Sequence, residues 1–129
     1  MRRELHPLLS PARRAQLLRR GAALFHGGRR FAAHECWEAV WRSREPHPRE
    51  LFQGLVQLAA AFHHLEQRGR PDVARRVLAK ARRRLAAVRV SEAREAGVEL
   101  PGLLLQLDRW DEWLAGARGG PPPRPVRLG

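Results

Sequence analysis

The chain contains no isoleucine, threonine, tyrosine or asparagine, and it has one cysteine, one methionine and one lysine. Each shortage narrows the reading. With valine as the only β-branched residue, and leucine, alanine and arginine abundant, the composition favours helix over strand. A lone Cys36 cannot close an internal disulfide, which agrees with a reducing compartment. The missing asparagine fits a thermophile, in which thermolabile residues are depleted. No apolar run approaches the ~20 residues that cross a bilayer, and Met1 to Ser10 lacks the apolar stretch of a signal peptide. The expectation is a cytoplasmic protein with no membrane partner.

What is present points to one domain. At 129 residues, with 43% hydrophobic and 29% charged, the chain suffices for one core but not two. The net charge of +12 comes almost wholly from arginine, Lys80 being the one lysine. Arginines are scattered as pairs, Arg2-Arg3, Arg13-Arg14, Arg19-Arg20, Arg29-Arg30 and Arg75-Arg76, whereas a nucleic-acid binder gathers charge on one face. A GC-rich genome produces the same excess of arginine over lysine. The charge therefore permits polyanion binding without demonstrating it.

Periodicity divides the chain into helices. Ser10-Pro11 caps and opens the first, and Gly27-Gly28 closes it. A second is predicted from about Arg30 to Ser43 and a third from Pro48 to Arg68, joined by a Pro-containing turn. A fourth starts at Pro71-Asp72 and reaches about Val90, carrying Arg76, Lys80, Arg83 and Arg84 along one flank as a basic strip. Ser91 to Leu100 reads as a linker with at most a helical turn, and a last helix follows from Pro101. The predicted fold class is all-α, a single-domain bundle of about five helices around a central antiparallel pair. It covers residues 1–118, with 119–129 a Pro/Gly-rich C-terminal tail that is extended, lies against the body or a neighbouring molecule, and is by default passive toward partners.

The chemistry-bearing feature lies on helices two and three. At roughly 100° per residue, His34, Glu38 and Trp41 share a narrow sector of helix two. Glu35 sits about a quarter-turn away. On helix three, Glu50, Gln53, Gln57 and His64 share a sector, with Gly54, Ala60 and Ala61 beside or between them. Small residues there would let another helix approach or leave room for a ligand. The short turn predicts antiparallel packing, which would bring the two stripes face to face. His63 points away from that stripe and is expected to pack elsewhere or face solvent. A buried carboxylate or imidazole costs several kcal/mol unless paired or metal-bound, roughly speaking, so the stripe needs a reason.

Two reasons compete. One is a structural network fixing helix register. The other is a site for a small polar ligand or a divalent metal, with hydrolysis as its chemistry. There His34, Glu38 and His64 would be metal ligands, Glu38 or Glu35 the base, and Trp41, Gln53 and Gln57 ligand-binding groups. The spacing is His-Glu-x-x-Glu and not the His-Glu-x-x-His of zinc hydrolases. No serine elbow or phosphate-binding glycine loop occurs. The alternatives are a nucleic-acid-associated protein using Arg76, Lys80, Arg83 and Arg84, and a non-catalytic interaction module. The sequence leaves homo-oligomer formation open.

The run Phe31-Ala-Ala-His34-Glu35-Cys-Trp-Glu38-Ala-Val-Trp41-Arg42 and the run Phe52-Gln53-Gly54-Leu-Val-Gln57-Leu-Ala-Ala-Ala-Phe-His63-His64 together resemble the signature of a bacterial family, domain of unknown function 309. The resemblance covers roughly residues 14–90. It implies a compact helical fold, and it implies that His34, Glu35, Glu38, Trp41, Gln53, Gly54, Gln57 and His64 are shared positions. It implies no activity.

Overall fold

The computed structural model describes residues 7–117 and 119–129. The Arg2-Arg3 pair and the domain-boundary residue Arg118 lie outside the described residues. Six α-helices run in order: α1 Pro11–His26, α2 Arg30–Trp41, α3 Arg49–Glu66, α4 Pro71–Ala86, α5 Val90–Glu95 and α6 Leu100–Glu112. A π-helical turn, Trp113–Ala117, extends the last. Among the described residues the only extended pairing is an isolated bridge between Leu8 and Arg44. The protein is all-α, as the composition predicts.

Local signals explain the helix ends. The Ser10 hydroxyl accepts the Arg13 amide at 3.1 Å, and Pro11 occupies the first helical position. At the other end of α1, Gly28 takes φ +82°. This left-handed turn lets Gly28 N–H bond the Phe25 carbonyl and Arg29 N–H the Leu24 carbonyl, satisfying two orphan acceptors. Gly97, at φ +83°, closes α5 in the same way, through Val98 N–H to the Ala93 carbonyl. This short helix occupies the segment expected to be a linker, and α4 correspondingly ends four residues early.

Successive helices pack side by side, with α3 at the centre between α2 and α4. The core joins Phe25, Trp37, Leu51, Leu55, Leu58, Phe62, Leu85, Leu103 and Leu107. Two glycines set how closely the helices approach. A Cβ on Gly21 would run into the Trp37 indole, whose Nε1 donates to the Leu18 carbonyl at 3.2 Å. A Cβ on Gly54 would lie 2.7 Å from the Leu85 side chain. Gly54 therefore serves the α3–α4 contact. Ala61 is buried in the core, so neither opens the stripe on which the sequence placed them.

The tail is extended, but it is docked. Val126 and Leu128 are buried. The Gln106 amide pairs with both backbone groups of Arg127, at 2.9 and 2.8 Å. Trp110 Nε1 donates to the Arg124 carbonyl and Trp113 Nε1 to the Gly120 carbonyl. Leu128 spans the gap between distant elements. Its carbonyl accepts Glu99 N–H at 2.8 Å, and its N–H donates to His26 Nε2 at 3.1 Å.

Candidate functional site

The α2–α3 seam begins with a buried, hydrogen-bonded end. Arg30, at the start of α2, is 7% exposed and forks onto Glu66 at the end of α3, at 2.9 and 3.1 Å. Its third contact is the Phe25 carbonyl at 2.8 Å, and its guanidinium lies 4.2 Å from the Phe25 ring centre and 5.1 Å from that of Phe62. Because the first residue of α2 meets the last of α3, the two helices run antiparallel.

One turn further along, the seam changes character. Phe31 is half exposed and stacks on His34, with ring centres 5.7 Å apart and planes within 11°. On its other side it meets His63 of α3 at 5.3 Å, and His63 lies 6.2 Å from His64. His34 Nδ1 stands 3.4 Å from Glu38 Oε2, one turn along α2. The other Glu38 oxygen pairs with Arg42 at 2.8 Å. His34, Glu38 and Arg42 thus form a line at i, i+4 and i+8 on one face of α2. The Arg49 guanidinium sits 5.7 Å from the Trp41 ring centre and closes the far end.

Four side-chain atoms along this seam are buried with no hydrogen-bond partner among the described residues: His34 Nδ1, His63 Nδ1, His64 Nδ1 and Gln57 Oε1. The 3.4 Å approach of His34 to Glu38 suits an ion pair with a protonated ring but not an aligned hydrogen bond. His63 has its pKa lowered, first by burial and then by the positive charges of Arg68, His64 and His34. Its ring is accordingly neutral at pH 7.

The sequence-predicted residues divide. His34 and Glu38 are brought together, and Gln57 and His64 turn a polar atom inward. Gln53 and Trp41 are half-buried nearby on their helices, while Glu35 is exposed. His63, expected elsewhere, is the imidazole that meets α2 through Phe31. It shares a face of α3 with Val56 and Ala59, seven and four residues away, and that spacing was the signal. Among the described residues, no three His, Cys, Asp or Glu side chains converge to hold a metal ion. Cys36 is free and half-buried.

No curated protein and no solved structure matches the chain. Residues 18–77 match the family model described as domain of unknown function (DUF309), a span that holds all of α2, all of α3 and the whole seam. Over that span, somewhat shorter than the motifs suggested, the chain resembles the domain of unknown function family DUF309.

Proposed function

We propose that the α2–α3 seam binds a small polar ligand, with His34 and Glu38 as its reactive pair and hydrolysis as the chemistry it serves. The observation that carries this reading is the set of four buried atoms that make no hydrogen bond among the described residues, of which only His34 Nδ1 has a counter-charge, Glu38 at 3.4 Å. Each such atom costs about 1–3 kcal/mol of unrepaid desolvation, which a purely architectural network would have recovered internally. A ligand that donates to Gln57 Oε1 and bridges the imidazoles recovers it on binding.

The roles follow from position. Glu38 is held by Arg42 and stands beside His34 Nδ1. A ligand that draws the ring into line makes a carboxylate–imidazole pair, in which His34 Nε2 takes the proton from an attacking water. His63, neutral at pH 7, is a second proton carrier on the opposite helix. Gln53 and Gln57 orient the ligand, and Trp41 walls it. Glu35, exposed and off the line, leaves Glu38 as the base-supporting carboxylate. In the divalent-metal form of this reading, His34, Glu38 and His64 supply nitrogen and oxygen donors, and side-chain rotation must gather them.

The test is a thermal-shift screen of divalent cations and small hydrolysable esters, run on wild type and on His34→Ala/Glu38→Ala, with metal content measured on protein purified without chelator. A stabilising compound, or near-stoichiometric metal, that the variant loses supports the site. A wild type indifferent to every compound, beside a variant that melts far lower, makes the pair structural.

A further inference from the structure

The six basic residues of α4 separate by angle into two classes that the sequence does not distinguish. On the flank toward α6, Arg82 forks onto Asp108 at 2.6 and 3.1 Å, and Arg75 meets Asp111 at 3.0 Å. On the flank toward α3, Arg84 meets Glu50 at 3.5 Å. These three are ties between helices, and Arg84 therefore leaves the predicted strip. Arg76, Lys80 and Arg83 remain, at i, i+4 and i+7 on the ridge opposite the buried Ala74, Leu78, Ala81 and Leu85. All three are exposed and, among the described residues, form no ion pair. Between and beside them stand exposed Ala79, Ala86 and Ala87, with Asp72 the one carboxylate on that ridge of α4.

We infer that this outer ridge of α4 is a docking surface for the sugar–phosphate backbone of duplex nucleic acid. Three cations spread over about 10 Å of helix axis can each meet a phosphate, and the alanines between them let the backbone come close. A cleft of about 620 Å³ lined by Arg75, Arg76, Ala79 and Asp111 opens beside the ridge. An anionic membrane fits poorly, because a membrane-surface helix needs large apolar side chains to insert, and those of α4 are spent on the core. Single strands fit poorly as well, because no aromatic ring on the ridge offers a stacking platform. The ridge reads no bases, so binding is weak, independent of sequence and governed by salt.

The experiment is fluorescence anisotropy of a labelled 20-base-pair duplex of mixed sequence, titrated at several salt concentrations. Three phosphate contacts predict a log–log salt slope near −2.7, or about a 40-fold loss of affinity between 50 and 200 mM salt. Arg76→Ala/Lys80→Ala/Arg83→Ala should abolish most of that slope and leave the melting temperature unchanged, since these side chains are exposed and hold no ion pair among the described residues. Arg19→Ala/Arg20→Ala, which removes charge from α1, should keep most of it. Equal losses in both variants would overturn the assignment in favour of net charge. So would undiminished binding by the α4 variant, or binding of phosphatidylserine vesicles without binding of the duplex.

Discussion

Helix α3 is gripped from both sides, and the two grips use opposite chemistry. Toward α4 the contact is apolar and tight, with Leu85 lying on the bare backbone of Gly54 and the polar groups confined to an exposed Arg84–Glu50 tie at the edge. Toward α2 the contact is polar, and it changes within a single turn from a three-bonded Arg30 to imidazole nitrogens of His34 and His63 that, among the described residues, make no hydrogen bond. The contrast separates two uses of buried polarity. Arg30 makes three hydrogen bonds and ties three elements together. Among the described residues, the side chains of His63, His64 and Gln57 form no hydrogen bond from one helix to the other.

The largest effect should come from the satisfied end. Arg30→Ala removes one of the two donors to the Phe25 carbonyl, leaving Gly28 N–H, frees Glu66 and takes the cation from two rings, at a cost of about 2–4 kcal/mol by urea unfolding. Gly54→Ala probes the apolar side. Its new methyl must displace Leu85, which costs about 1–3 kcal/mol in the same assay. A smaller loss there would mean that α4 shifts outward easily and that the tight grip is looser than its distances imply.

Acid gives a third and smaller handle. The pKa of His26 is lowered by burial and then by Arg127 and Arg30, and that of His63 is lowered as well. The unfolded chain therefore takes up these protons first as pH falls. Stability is complete above about pH 6.5 and declines as pH drops below it toward the folded-state pKa values. Protonated His26 also cannot accept the Leu128 N–H. Melting temperatures at pH 8 and pH 5.5 should show a drop that is smaller in His26→Gln, whose side chain does not titrate.

How much of this was legible in the sequence follows from the same contrast. The helices and their antiparallel arrangement follow from a 3.6-residue period, the Ser10-Pro11 start and the Gly27-Gly28 stop, all of them local signals. The His34–Glu38 pair was legible because both residues lie on one helix. Which imidazole of α3 faces α2 depends on how α3 is rotated, and its apolar residues nearly encircle it, so the wheel favoured His64 over His63. Arg30 read as half of a surface arginine pair, since its partners Phe25 and Glu66 stand on other helices. Where the tail docks was not legible, because proline-rich composition announces only that no helix forms. Its anchors come from Gln106, Trp110 and His26, the last of them 102 residues from Leu128.

The most direct test of the central claim, that the polar seam is kept for a ligand and not for the fold, is the unfolding free energy of Gln57→Leu/His63→Leu measured beside Arg30→Ala. No hydrogen bond within the protein is lost in the seam variant, so it should stay within about 1 kcal/mol of wild type or exceed it. A loss as large as that of Arg30→Ala would show that the seam holds the helices in register, and would contradict the account.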